Sequence, residues 1–464
     1  MGDLAKIFKA YDIRGVVPDE LDAATAEAAG AAFVRVTGAS AVVTAHDMRE
    51  SSVPLAEAFA RGATSQGADV VEAGLGSTDL LYYASGSLDL PGAMFTASHN
   101  PARYNGMKLC RSGARPVGSD SGLSEIREMI ENGVPAYGGE PGRVSQRNLL
   151  AGYAEHMHSL VDLSGIRPLK VVVDAGNGMG GHTVPAVFGW RPSGGTGEDR
   201  DEGLPIDLVP LYFELDGTFP NHEANPIEPE NLRDLQAAVR ETGADIGLAF
   251  DGDADRCFVV DERGEIVSPS AITALVATRE LAKHPGSSIV HNLITSQAVP
   301  EIVAEHGGTP VRTRVGHSFI KRTMAETGAV FGGEHSAHFY FRDFWFADSG
   351  MLAALHVLAA LGRQDGPLSE LLGEYTRYAA SGEINSEVAD QAAAAAKVRE
   401  SYAGRPGVTT DELDGLTVSD EAGGWWFNLR PSNTEPLLRL NAEAADDATM
   451  AAIRDEVLAL VREK

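Results

Sequence analysis

Cysteine is nearly missing from this chain. Cys110 and Cys257 are the only two, too few for a disulfide framework or a cysteine metal site, and both suit a role as small buried hydrophobes. Long apolar runs are missing as well: none approaches the roughly 20 residues that cross a bilayer. Residues 1–6 lack the charged-then-apolar layout of a secretory leader, and Lys6 stands where a myristoylation signal has Ser or Thr, so a cytoplasmic location is expected. Positive charge is scarce: 38 Lys and Arg against 66 Asp and Glu give a formal charge of −28. That balance argues against nucleic acid and anionic membranes as partners.

What is present is a long, glycine-rich chain. Its 464 residues exceed one core and imply three or four domains, while 43% hydrophobic content and 51 glycines fit an α/β protein with many tight turns. Screening beyond about 8 Å lets a locally basic site exist on an acidic protein. Arg14, Arg103, Lys108, Arg256, Arg312, Arg314, Lys321, Arg430 and Arg439 all stand beside the polar stretches described below.

Strand and helix patterns alternate along most of the chain. Strands are expected at 41–45, 69–71 and 93–95, with helices at 53–66 and 78–86, which implies parallel βαβ units. Glycine and proline punctuation at 133–148 closes the first domain, taken as 1–145. A second, 146–256, opens with a helix at 148–162 and a strand at 170–173; residues 214–230 read as a proline- and acid-rich loop before a helix at 230–241 and a strand at 245–250. A third, 257–370, has strands at 287–291, 309–314 and 329–331. The last, 371–464, has an Ala-rich helix at 390–401, strands at 425–429 and 437–440 and a final helix, and reads as a smaller α+β unit whose aromatic run Trp425-Trp426-Phe427 belongs to its core.

Two familiar motifs fail on inspection. Gly176, Gly178 and Gly181 satisfy a dinucleotide fingerprint, but residues 190–195 form a loop where a second strand ending in an acid is required, and Pro185 interrupts the helix. A tight strand-to-helix turn is expected there instead. Asp251, Asp253, Asp255 and Glu262 fall on EF-hand positions, yet Arg256 occupies the obligatory glycine and the flanks are β-like. Three carboxylates on alternate residues of one turn repel one another unless a cation joins them, and their hard oxygens suit Mg²⁺.

The organising stretch is Thr96-Ala97-Ser98-His99-Asn100, followed by Asn105-Gly106-Met107-Lys108. The apolar run at 92–95 reads as a buried strand, so Ser98 sits on the loop at its C-terminal end, where α/β sheets bind ligands. A serine there can act as a nucleophile and carry phosphate. Three more stretches accompany it: Asp251-Gly252-Asp253-Ala254-Asp255-Arg256, Gly333-Glu334-His335-Ser336-Ala337-His338, and Arg430-Pro431-Ser432-Asn433-Thr434-Glu435-Pro436.

In this order and spacing the four stretches resemble the α-D-phosphohexomutases, in particular their phosphomannomutase/phosphoglucomutase branch, from Tyr11-Asp12-Ile13-Arg14-Gly15 to the C-terminal helix. The resemblance implies three consecutive mixed α/β domains plus a smaller C-terminal α+β domain, with the active site in a central cleft. It implies a phosphoserine at Ser98 that supplies the fourth ligand to Mg²⁺ on Asp251, Asp253 and Asp255. Arg14 is expected to reach that serine, Arg256 to touch the transferring phosphoryl, and Lys108 and His338 to move the hydroxyl proton, with His99 and Asn100 shaping the loop. Glu334 and Ser336 are expected to grip the hexose, His317 and Lys321 to bind substrate, and Arg430, Ser432, Asn433 and Thr434 to hold its phosphate.

The implied reaction interconverts hexose 1- and 6-phosphates of mannose and glucose through a 1,6-bisphosphate, with glucose or mannose 1,6-bisphosphate as activator. His335 and Ala337 replace the commoner Met and Gly, which leaves the finer sugar preference open. The alternatives are a phosphoglucosamine mutase, whose loop usually has Gly at the place of Asn433, a phosphatase, and a non-catalytic sugar-phosphate sensor.

Overall fold

The computed structural model describes residues 3–190, 203–432 and 437–463. They divide into two compact units, Met1–Pro269 with Ser336–Leu371, and Ser270–His335 with Leu372–Lys464. Among the described residues no helix is long and apolar enough to cross a membrane.

The first unit carries two sheets besides the antiparallel pair Phe339–Phe341 and Ala347–Asp348. In one, the strands run in the order Ile13–Val16, Tyr104–Arg111, Gly92–Phe95, Ala41–His46, Asp69–Leu75 and Val144–Gln146. The expected parallel pairing holds at its centre, where Ala41–His46 lies between Asp69–Leu75 and Gly92–Phe95. Tyr104–Arg111 departs from it: residues expected as a polar segment form a strand antiparallel to both neighbours. The polar side chain that obscured this strand, Asn105, is buried but satisfied, donating to Ser51 at 2.8 Å and Ser52 at 2.9 Å. The register sets Arg14 opposite Gly106 and Lys108 opposite Met94.

The second sheet runs Ile266–Val267, Cys257–Asp261, Ile246–Phe250, Leu169–Asp174, Ile206–Leu211. Ile246–Phe250 and Cys257–Asp261 are antiparallel neighbours, so the aspartate loop is a strand-flanked turn, as its β-like flanks implied. Leu169–Asp174 passes through a turn with positive φ at Gly176 and Asn177 into the short helix Gly180–Phe188, which contains Pro185. The loop expected at 190–195 lies outside the described residues from position 191 onward.

In the second unit, Thr309–Thr313, Ser288–Asn292 and Phe331–Gly333 pair in parallel. Its C-terminal part is a five-stranded antiparallel sheet in the order Ala379–Glu387, Leu437–Ala444, Trp425–Pro431, Leu416–Asp420, Val408–Asp411. The helices Gln391–Tyr402 and Asp447–Arg462 supply Val398, Tyr402, Val457 and Val461 to a core completed by Phe427, Leu429, Leu438 and Leu440. Trp425 lies partly buried against Tyr402 and Phe427, in keeping with a packing role for the aromatic run.

Helices Ala23–Thr37 and Ser52–Ser65 cover one face of the serine-bearing sheet and meet backbone to backbone. A Cβ at Gly62 would lie 1.8 Å from the carbonyl oxygen of Glu27. Gly62→Ala is therefore expected to force the helices apart and destabilise this layer by about 1–3 kcal/mol. A drop of several degrees in the melting temperature is the expected calorimetric result.

Candidate active site

The strand Gly92–Phe95 delivers Thr96, whose hydroxyl accepts from the Ser98 amide at 2.9 Å. Ser98 itself is buried and has φ +50°, a left-handed conformation that an L-serine adopts only when its surroundings impose it. The turn aims the hydroxyl at the aspartate loop: Ser98 Oγ donates to Asp251 Oδ2 at 2.7 Å. Gly252 makes the approach possible, because a Cβ there would lie 2.4 Å from the Ser98 carbonyl oxygen.

Asp251, Asp253 and Asp255 are at most 1% exposed, and one oxygen from each lies within 4.8 Å of the others. Lys108 Nζ donates to Asp253 at 2.7 Å and Asp255 at 2.5 Å, while Arg256 Nε donates to Asp251 at 2.9 Å. Two side-chain cations against three carboxylates leave one buried negative charge, which is costly in a dry interior. Asp253 Oδ1 is buried and accepts no hydrogen bond among the described residues. Surplus charge, an orphaned oxygen and an all-oxygen donor set fit a hard divalent cation.

Burial and neighbouring charge compete at these groups. Burial pushes Asp251 up to about 7 against the pull of Arg256. At Asp253 burial is outweighed by the Lys108 ammonium, which holds its carboxyl below the usual range. Lys108 moves up in turn, its two aspartates prevailing over desolvation. Burial, then the charges of Arg256 and Arg14, hold His99 well below the ordinary histidine value. Its ring is accordingly neutral, and its Nδ1 accepts a short hydrogen bond from Arg256 Nη2. The same guanidinium nitrogen reaches Ser98 Oγ at 3.3 Å.

Other expected residues of this unit gather nearby. His338 forms a backbone bridge with Arg256, its Nε2 lies 3.6 Å from Asp255, and its Nδ1 is 2.9 Å from Ser336 Oγ. Arg14 does not hydrogen-bond to the serine hydroxyl: Nη1 donates to Asn100 Oδ1 and Nη2 to Asp12, both at 2.5 Å. It braces the loop two residues beyond Ser98, because the strand Ile13–Val16 runs beside Tyr104–Arg111.

In the second unit, Glu334 Oε1 accepts from the Gly316 amide at 3.1 Å. His317 opens the helix His317–Thr327, and Lys321 lies one turn along it, buried. Arg430 is buried and donates to Glu383 at 3.0 Å, and the Ser432 amide closes on the Leu437 carbonyl at 2.8 Å. Asn433 and Thr434 lie outside the described residues.

Two further groups were not among the expected residues. Arg49, paired with Asp47, donates to the carbonyls of Ser98, Asn100, Pro101 and Tyr104 at 2.7–2.9 Å and so holds the serine loop by its backbone. The signal was available, since Asp47 and Arg49 follow an apolar strand just as Ser98 does. Asp79 is a buried carboxyl that accepts from Ser77, from Tyr153 at 2.9 Å and from Ser349 at 2.7 Å. Its neighbour Thr78 donates to Asp253 Oδ2 at 2.6 Å. No local pattern announces it, because Tyr153 and Ser349 lie 74 and 270 residues away in sequence.

Asp79 has hydroxyl partners, and burial raises its pKa from 3.8 to about 7. The folded state thus binds more protons than the unfolded state between those values. The stability it confers is full below pH 4 and is lost as pH rises through 7, by roughly 4 kcal/mol at most. Asp79→Asn should flatten the decline of the melting temperature between pH 5 and 8. Denaturation scans across that range check it, and an unchanged slope contradicts it.

Sequence-family profiles match nearly the whole chain. They are described as phosphoglucomutase/phosphomannomutase alpha/beta/alpha domain I over residues 5–135, domain II over 151–264, domain III over 268–378, and the C-terminal domain over 383–460. A Xanthomonas campestris pv. campestris protein named phosphohexose mutases is 42% identical over 451 residues, covering 97% of each chain. The phosphomannomutase of Salmonella typhimurium is 40% identical over 457 residues, again 97% of each. The crystal structure of a phosphoglucomutase/phosphomannomutase family protein from Burkholderia thailandensis superposes with a TM-score of 0.86 at 34% identity, covering 100% of this chain and 99% of that one. With its serine turn against three buried carboxylates and these relatives along its full length, the chain belongs to the phosphoglucomutase/phosphomannomutase family.

Proposed function

We propose that this chain is a phosphomannomutase that also acts on glucose phosphates, interconverting hexose 1- and 6-phosphates through a phosphoserine at Ser98 and a 1,6-bisphosphate intermediate. The observation that carries this reading is the hydrogen bond from the buried Ser98 hydroxyl to Asp251, inside a cluster with surplus negative charge. The full-length relatives named phosphomannomutase support the sugar assignment.

Asp251, Asp253 and Asp255, with an oxygen on Ser98, are assigned as the ligands of Mg²⁺. Bound there, the ion supplies positive charge to the transferring phosphoryl group. The 430–434 loop holds the phosphate already on the sugar. The free sugar hydroxyl attacks the phosphorus on Ser98, the P–Oγ bond breaks, and the hydroxyl proton passes to His338, because Lys108, an ammonium held between Asp253 and Asp255, cannot accept it. Arg256, whose guanidinium already touches Ser98 Oγ, stabilises charge on the phosphoryl oxygens. Arg14 and Arg49 keep the loop in its strained turn, and His99, neutral, orients Arg256.

The bisphosphate then presents its other phosphate to Ser98 and regenerates the phosphoenzyme. Glucose or mannose 1,6-bisphosphate primes the cycle by phosphorylating Ser98. Glu334, Ser336, His317 and Lys321 are assigned to the sugar and its phosphate. The buried setting of Ser98 limits access of water, which would otherwise hydrolyse the phosphoserine.

The test is ³¹P NMR of the protein with Mg²⁺, a trace of glucose 1,6-bisphosphate, and mannose, glucose and glucosamine 1-phosphates in competition. Mannose and glucose 6-phosphates are expected to grow fastest, and a chelator should stop both. Inorganic phosphate alone indicates a phosphatase, dominance of glucosamine 6-phosphate the phosphoglucosamine enzyme, and an unchanged spectrum from folded protein a sensor.

A further inference from the structure

The helix Thr78–Leu88 begins against the aspartate loop. Thr78 meets Asp253 twice: its amide donates to the Asp253 carbonyl at 3.0 Å, and its hydroxyl donates to Oδ2 at 2.6 Å. Both residues are fully buried. The start of the helix is itself held in place. Ser77 caps it, accepting from the Leu80 amide at 3.3 Å, and Asp79 ties it to Tyr153 and Ser349. Thr78 thus approaches Asp253 from a fixed backbone, with a β-branched side chain whose rotamers are few in a helix.

The contact gives the two oxygens of Asp253 different roles. Oδ2 accepts from Thr78 and, at 2.7 Å, from Lys108 Nζ, whereas Oδ1 is buried and accepts no hydrogen bond among the described residues. The terminal torsion of an aspartate is soft and nearly two-fold, so without a fixed partner its oxygens could exchange places. Lys108 fixes it poorly, because its ammonium rides on a flexible four-carbon stem and is shared with Asp255. The Thr78 hydroxyl has one proton to donate, and it goes to Oδ2 from a short side chain.

We propose that Thr78 is a positioning residue for metal binding: by occupying Oδ2 it leaves Oδ1 as the oxygen that Asp253 offers to the cation. The inference rests on the reading that Asp251, Asp253 and Asp255 hold a divalent cation. An uncharged donor suits the task. It sets the orientation of the ligand and leaves the carboxylate's charge for the ion, whereas a second ammonium would cancel it. Partners of this kind, which hydrogen-bond to a metal-bound carboxylate, are typically worth tenfold or more in metal affinity. A hydroxyl that served only to satisfy a buried oxygen would affect the melting temperature and leave that affinity unmoved.

The experiment measures Mn²⁺ binding to the full-length protein, stripped of metal by a chelator, from the EPR signal of the free ion. Thr78→Val keeps the shape of the side chain and removes its hydroxyl, and it should weaken binding by about tenfold. Thr78→Ser restores a hydroxyl and should recover most of that loss. A folded Thr78→Val variant that binds Mn²⁺ as tightly as the wild type overturns the proposal. Thr78→Ser as weak as Thr78→Val overturns it too, since the methyl group and not the hydroxyl then sets the affinity.

One readout needs no variant and stands even where Thr78→Val does not fold. In a crystal structure of the wild type with Mn²⁺, the ion should lie on Asp253 Oδ1 with the Thr78 hydroxyl still bonded to Oδ2. An ion bound through Oδ2 overturns the proposal. Asp253→Asn separates the two levels, since unchanged Mn²⁺ binding there contradicts the metal assignment itself, whatever Thr78 does.

Discussion

A buried hydroxyl held against buried carboxylates is the constraint on which the first unit depends. Ser98 donates to Asp251 at 2.7 Å, and neither residue has more than slight exposure. Bringing the two loops this close requires a left-handed serine, a glycine at 252 and a backbone with no slack. Arg49 removes the slack by gathering four carbonyls of the serine loop onto one guanidinium, itself neutralised by Asp47. The planar fork of arginine makes this possible, and lysine could not reproduce it. Around the carboxylates, Lys108 and Arg256 supply most of the balancing charge and leave a deficit that a hard cation would fill.

Net charge and local charge are solved separately in this protein. A formal −28 is spread over a surface where screening hides it beyond about 8 Å, while buried groups act on one another nearly unscreened. Ser98, Lys108, Asp251, Asp253, Asp255, Arg256 and His338, the residues assigned here to phosphoryl transfer, belong to one compact unit, and Arg430 with Glu383 to the other. The aspartate loop lacks positive charge and is assigned a metal.

Much of this was legible in the sequence, and for identifiable reasons. Strands such as Leu169–Asp174 and Ile246–Phe250 are buried apolar runs ended by acid and glycine, so the position of the aspartate loop followed directly. Ser98 was legible because it terminates such a run. Lys108 was recognised as a residue but its strand was not, since Asn105 hides the pattern until its partners Ser51 and Ser52 are known. Arg14 was expected at the serine and braces Asn100 instead, a difference decided by strand register. Asp79 and Glu383 were illegible in principle. Their partners come from distant segments, and a carboxylate's environment is a property of the folded chain.

The most direct measurement is to incubate the protein with glucose 1,6-bisphosphate and Mg²⁺ and locate the transferred phosphoryl group by peptide mass spectrometry. Mannose 1-phosphate is then added, and Ser98→Ala is assayed alongside. One phosphoryl group on the peptide containing Ser98, discharged by the sugar, with turnover abolished in the alanine variant, is the predicted result. Turnover retained without Ser98, or a phosphoryl group carried elsewhere on the chain, would contradict the account.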